Sequence, residues 1–294
     1  MPRLYGVRLA GSAGRVLAAA VALACSANAL DAAPIIPPDV LAPHRAIYDL
    51  SLLESRDRSG VKQASGRLVY EFTRTGCHSF TLNYRQVLSV AGGDEGKGGV
   101  IDFRSSTVED DEAKTFSFTS TSQVAGGPAT KMGGLAERLT DGSIRVTIQD
   151  PAPREVSLPA SVLFPTQHLR RILAAARNDD FSLQADVYDG GEPGDAASPS
   201  LTMIGAVQQP GETNPDALTA PAGLDKLPRW PISVSYFDQK PSTEGEQTPK
   251  FIFAAEVYEN GISRALRLDY GTFVVAGKLV GLEKLAADDC PVKH

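Results

Sequence analysis

Cysteine is the side chain with the widest chemistry in this chain, because its thiolate is a nucleophile, a metal ligand and half of a disulfide. There are three, Cys25, Cys77 and Cys290. No two stand in a C-x-x-C spacing, so thiol redox catalysis has no motif here. The four histidines, His44, His78, His168 and His294, form no H-E-x-x-H pair for a catalytic zinc. Gly277-Lys278 lacks the leading Gly and the following Ser or Thr of a phosphate loop. Gly261-Ile262-Ser263-Arg264-Ala265 partly resembles a nucleophile elbow. Its second Gly is missing, and a hairpin turn precedes it where a strand-to-helix bend is required, so Ser263 reads as a strand serine. Glu109-Asp110-Asp111-Glu112 and the group Asp186, Asp189, Glu192 and Asp195 could attract calcium. Neither has the spaced ligands of a calcium loop, and solvated turns account for both. The residues therefore specify no catalytic set, no metal and no cofactor, and the chain reads as a protein that is not an enzyme.

The cysteines acquire meaning from the first thirty residues. Arg3, Arg8 and Arg15 precede a short apolar run, Val16 to Ala24, and Ala27-Asn28-Ala29 has the small-x-small form of a cleavage site. Residues 1–29 thus read as a secretory signal, 30–40 as the start of the exported chain, and 41–294 as a single β-rich domain. The rival reading is lipoprotein cleavage before Cys25, which lacks the usual Leu three places earlier. Loss of the signal leaves 26 basic against 35 acidic side chains, a balance opposed to binding nucleic acid. No later stretch is apolar enough to span a membrane, which leaves a soluble protein of the periplasm. In that oxidising compartment Cys77 and Cys290 are an even pair and a disulfide is expected, with two buried free thiols as the alternative. The bond would close a loop of 213 positions, for which the chain-entropy model gives roughly 5 kcal/mol as an upper figure.

The remaining chain must bury a core, since 42% of it is hydrophobic and neither disorder nor collagen fits the composition. Its dominant period is two. Ala46, Tyr48, Leu50 and Leu52 alternate with polar residues, as do Leu68, Tyr70 and Phe72. Strands are expected near 45–52, 66–74, 80–90, 100–103, 114–120, 134–139, 144–148, 181–188, 201–207, 232–237, 251–258, 262–270 and 272–282. Short turn clusters separate them, which says antiparallel hairpins. Asp141-Gly142 marks one hairpin, and Asn260-Gly261 predicts a type I′ turn in another. One interruption breaks this rhythm. From Pro165 to Arg177, Leu169, Ile172, Leu173 and Ala176 recur at helical spacing, giving the single expected helix. His168 lies on its apolar stripe, where a core histidine is a simpler reading than a general base. With no second helix available, the stripe must lie on the sheet.

An antiparallel sheet curving into an open barrel around a helix can leave an apolar groove suited to acyl chains, lipoproteins or peptides. Tyr48, Tyr70, His168, Leu169, Trp230, Tyr236 and Phe253 are the candidate lining residues; ordinary core packing is the competing explanation.

Several segments together carry a family resemblance. Leu41 to Leu50 (LAPHRAIYDL), Gly66 to Phe72 (GRLVYEF) ahead of Cys77, Phe164-Pro165-Thr166-Gln167-His168, Val187-Tyr188-Asp189-Gly190, and Tyr258-Glu259-Asn260-Gly261 through Cys290 resemble the EipB-like family of periplasmic proteins. The resemblance covers essentially the whole exported chain. It implies a mainly β fold, a spiral-like broken barrel wrapped around one helix. It also implies a Cys77–Cys290 disulfide and a part in keeping the cell envelope intact under stress. No catalytic residues come with it, and its likeness to periplasmic lipoprotein carriers is one of fold alone. Two functions follow as expectations: envelope maintenance through contacts with a protein or peptide, or carriage of an acyl chain or lipoprotein in the groove.

Overall fold

The computed structural model describes residues 41–56, 60–76, 78–92, 98–191, 193–211, 217–239 and 247–286. They belong to one compact unit, Pro38–His294. The expected signal segment, residues 30–40, Cys77 and Cys290 lie outside the described residues. In chain order the elements are β1 (His44–Ser55), β2 (Val61–Thr75), β3 (Ser79–Gly92), β4 (Gly98–Asp110), β5 (Thr115–Val124), β6 (Thr130–Arg138), β7 (Ile144–Asp150), β8 (Arg154–Leu158), α1 (Pro165–Arg177), β9 (Ser182–Val187), β10 (Ser198–Ile204), β11 (Arg229–Tyr236), β12 (Phe251–Tyr258), β13 (Ser263–Asp269) and β14 (Phe273–Lys284).

All fourteen strands form one antiparallel sheet in the order β8-β7-β6-β5-β4-β3-β2-β1-β14-β13-β12-β11-β10-β9. Two meanders, β1–β8 and β9–β14, are therefore joined twice, by the β1–β14 ladder and by the helix that links the outermost strands. The sheet is not closed. Leu163, just ahead of the helix, makes a parallel bridge to Val187 on β9: its N–H donates to the Asp186 carbonyl and its carbonyl accepts from the Tyr188 N–H, both at 2.9 Å. That bridge covers the end of an edge strand that would otherwise offer its amides to another chain.

The curl follows from which contacts the inner faces make. Gln86 of β3 and Tyr270, one residue past β13, have three strands between them in the sheet. Flat strands spaced at ~4.8 Å would hold them roughly 19 Å apart. The Gln86 Nε2 instead donates to the Tyr270 hydroxyl at 2.7 Å, so the sheet must wrap around its own interior. Inward positions build two main cores. The larger joins β1–β3 to β10–β14 through Ala46, Tyr48, Leu50, Leu68, Trp230 and Leu268, and Ile172 and Leu173 of the helix pack into it. The second joins β5–β8 through Phe116, Phe118, Ala136, Ile144, Val146 and Ile148, and takes Phe164 and Tyr188 from the connection to the other meander. Gly190 is required there: it has φ +71°, and a Cβ on it would stand 2.4 Å from the Phe118 ring.

The helix occupies the span its periodicity predicts, Pro165–Arg177, with proline in its first turn and the apolar stripe inward. The alternation calls for strands where most of them form. One strand escapes the pattern, because β8 is a five-residue edge element bracketed by Pro151, Pro153 and Pro159, which make its surroundings read as a loop. The turn after β12 also differs from expectation. Gly261 alone has positive φ, at +84°. Its N–H donates to the Tyr258 carbonyl and the Tyr258 N–H donates to the Ile262 carbonyl, both at 2.8 Å, which makes a three-residue loop with Gly261 as the bulge. Type I′ would require positive φ at Asn260 as well.

Candidate functional site: the concave trough

The seven sequence-derived groove residues all sit on the inner side of the curled sheet or on the helix, and burial divides them. Tyr48, Trp230 and His168 are 2%, 5% and 3% exposed. The Tyr48 hydroxyl crosses β14 to donate to the Ser263 carbonyl at 2.7 Å, which fixes it as a wall. Burial lowers the His168 pKa to about 4, and the positive charge of Arg171 adds to that, so the ring is neutral. Tyr70, Leu169, Tyr236 and Phe253 are half-buried and pack against the larger core.

The structure adds Phe251, Tyr270 and Phe273 to the residues expected from sequence. With Tyr236 they form a row of rings, Tyr236, Phe251, Tyr270 and Phe273, with successive centroids 6.3, 5.4 and 5.1 Å apart. All four are half-buried, and they come from β11, β12, the β13–β14 corner and β14. Facing them from the other meander, Tyr84 of β3 meets Phe103 of β4 edge to face at 5.8 Å. The Tyr84 hydroxyl donates to Gln86 Oε1 at 2.6 Å, and Gln86 reaches Tyr270, so an amide and two hydroxyls bridge the floor of the trough. Burial pushes the Tyr70, Tyr84, Tyr236 and Tyr270 hydroxyls upward in pKa, so these phenols stay protonated across the physiological range. One cue to this site was available in the sequence: Gln86 stands on the inward parity of β3, between Leu82, Tyr84 and Leu88, where an amide needs a partner.

At the far end the trough is stopped by the helix and by a buried acid. Glu109 of β4 accepts the N–H of Thr166 at its Oε2, 2.7 Å away, and that of Gln167 at its Oε1, 2.8 Å away. Phe164 at the N-cap supplies no side-chain bond, so a carboxylate distant in sequence takes that part. The solvated turn expected for the acidic cluster holds for Asp110, whose Oδ1 accepts the Glu112 and Lys114 N–H groups, but Glu109 itself is in the core. Asp189 likewise closes a local turn on the Gly191 N–H, and Asp195 pairs with Arg154. Among the described residues no three His, Cys, Asp or Glu side chains converge in a way that could hold a metal ion. No helix among them is long and apolar enough to cross a membrane.

The arrangement offers aromatic surface, phenol hydroxyls and an amide inside an open curved sheet. A solved relative has the same architecture: a beta-barrel-like protein of a domain of unknown function from Brucella abortus superposes with a TM-score of 0.74 at 32% identity, over 84% of this chain and 99% of that one. The cell envelope integrity protein EipB of Brucella abortus (strain 2308) is 34% identical over 244 residues, 83% of this chain and 84% of its own length. The sequence model of the EipB-like family matches residues 37–286, a range that contains the whole of the described fold, and the chain belongs to that family.

Proposed function

We propose that the protein maintains the cell envelope from the periplasm, without catalysis, by holding a peptide or protein segment in the concave trough. The similarity to a protein named for cell envelope integrity supports the envelope role. The observation that carries the binding mode is the mixed floor of the trough, where half-exposed rings at Tyr236, Phe251 and Tyr270 stand beside the bonded Tyr84, Gln86 and Tyr270 groups. An extended peptide presents alternating side chains and backbone amides, which need rings and hydrogen-bond groups at close quarters. An alkyl chain needs only the former, so the amide and hydroxyls favour the peptide over the acyl-carrier alternative.

The test is complementation of a deletion strain exposed to detergent. Wild-type protein should restore growth, and a Phe251→Ala/Tyr270→Ala variant with an unchanged far-ultraviolet spectrum and wild-type abundance should not. Full rescue by that variant would remove the trough from the function. Native mass spectrometry of the protein taken from its own periplasm identifies the occupant, and a co-purifying lipid in place of a peptide would decide for the carrier reading.

A further inference from the structure

A cavity lies outside the trough, on the outer face of β1–β5. Its volume is about 380 Å³, and its lining includes Arg45, Glu71, Asn83, Arg85, Arg104 and Thr119. Strand register arranges its side chains in two lateral rows. Arg45, Glu71, Asn83, Ser106 and Thr119 are successive cross-strand partners through β1–β2–β3–β4–β5. Two residues along, Val69, Arg85, Arg104 and Thr121 repeat the register from β2 to β5.

The second row places two arginines directly opposite each other, an arrangement that costs stability in an antiparallel ladder. It is tolerated through Asp102, which accepts Nε–H and Nη2–H bonds from both Arg85 and Arg104 at 3.0–3.3 Å. Those bonds hold the Asp102 pKa down at about 2. They also fix the two guanidinium planes while using two of the five N–H donors of each. In the first row, Ser106 Oγ donates to Asn83 Oδ1 at 2.8 Å, and Asn83 Nδ2 reaches Glu71 Oε1 at 3.4 Å. Arg45 stands 3.8 Å from Glu71, too far for a hydrogen bond. The patch therefore offers oriented N–H donors, hydroxyls and a carboxamide. Three guanidinium groups stand against the two carboxylates of Glu71 and Asp102.

We propose that this cavity binds an extended glycan that carries carboxylate groups, laid across the strands. The lateral repeat of ~4.8 Å between strands is close to the length of one pyranose unit, so successive sugars would meet successive side chains of a row. Sugar hydroxyls pair with the mixed donors and acceptors, and a carboxylate takes a guanidinium edge as a bidentate partner. With one net positive charge in the cavity, a single carboxylate fits better than a phosphate dianion, which calls for a larger surplus of cations. The site is independent of the trough, and its failure would leave the peptide reading untouched.

Isothermal titration of the purified protein with a muramic-acid-containing tetrasaccharide, and with chitotetraose as its uncharged counterpart, tests the assignment. The acidic glycan should bind at least about tenfold more tightly than the neutral one, and Arg104→Ala or Thr119→Val should each weaken it by about tenfold at unchanged melting temperature. Arg145→Ala, on β7 and paired with Glu137 away from the cavity, should bind as the parent does. Absence of binding by either glycan, equal affinity for both, or binding indifferent to Arg104→Ala and Thr119→Val overturns the proposal.

Discussion

Glu109 has both carboxylate oxygens committed to the first turn of the helix, and the residue is 3% exposed. Burial raises its pKa to about 7, outweighing the opposing pull of the two amide bonds and the Arg170 charge. Between its ordinary value near 4.5 and about 7, the folded protein holds a proton that the unfolded chain has released, so this group's contribution to stability falls as pH rises through that window. His168 acts with opposite sign. Its pKa falls from 6.5 to about 4, the unfolded chain takes the proton first, and stability climbs as pH rises from about 4 to 6.5. The two slopes oppose each other in the wild type. Glu109→Gln keeps the cap acceptor at one oxygen and removes the falling slope, so its stability should rise with pH over 4–6.5 more steeply than that of the parent. The difference between the two urea-derived curves should change by up to about 3 kcal/mol across pH 4–7.5. Parallel curves would show that Glu109 titrates normally.

At the scale of the element, the helix is the part most legible in the sequence, because its 3.6-residue stripe interrupts a chain otherwise written in twos. Leu173 is 2% exposed inside the larger core, whereas Arg171 faces solvent. Leu173→Ala should cost about 2–5 kcal/mol and Arg171→Ala under about 1 kcal/mol in equilibrium unfolding, since only the first leaves a cavity lined from several strands. Equal costs would place the helix on the surface. Strand faces were as readable as the helix: the alternation at Ala46, Tyr48 and Leu50 gives the buried side of β1 directly. Glu109 and Gln86 were harder, because a polar residue on an inward parity announces that a partner exists without naming it. Their partners lie 57 and 184 positions away.

At the scale of the molecule, the register brings the Phe72 position of β2 and the Lys284 end of β14 to the two sides of the start of β1. His44 of β1 pairs with Phe72 on one side and with Lys284 on the other. Cys77 follows Phe72 by five positions and Cys290 follows Lys284 by six. A bond between them would tie the end of the chain to the β2–β3 turn. Thiol labelling of unfolded, unreduced protein from the periplasm should find no free cysteine, and Cys290→Ser should lower the denaturant midpoint by the equivalent of about 2–5 kcal/mol. Free thiols at both positions, or an unchanged midpoint, would remove the staple.

What the sequence by itself determined is local: the face most strands bury, the span of the helix and the sites of most hairpins. Period, turn chemistry and capping act within a few residues and are written in neighbouring letters. The tertiary structure decided what depends on distance between strands. A curl strong enough to bring Gln86 to Tyr270 separated buried walls such as Tyr48 and Trp230 from the half-exposed rings of the trough. Five-strand register set Arg45, Glu71, Asn83, Ser106 and Thr119 in one row. Neither could be read from spacing, because sheet curvature and lateral register are properties of many pairings taken together, and each pairing constrains only its own neighbour.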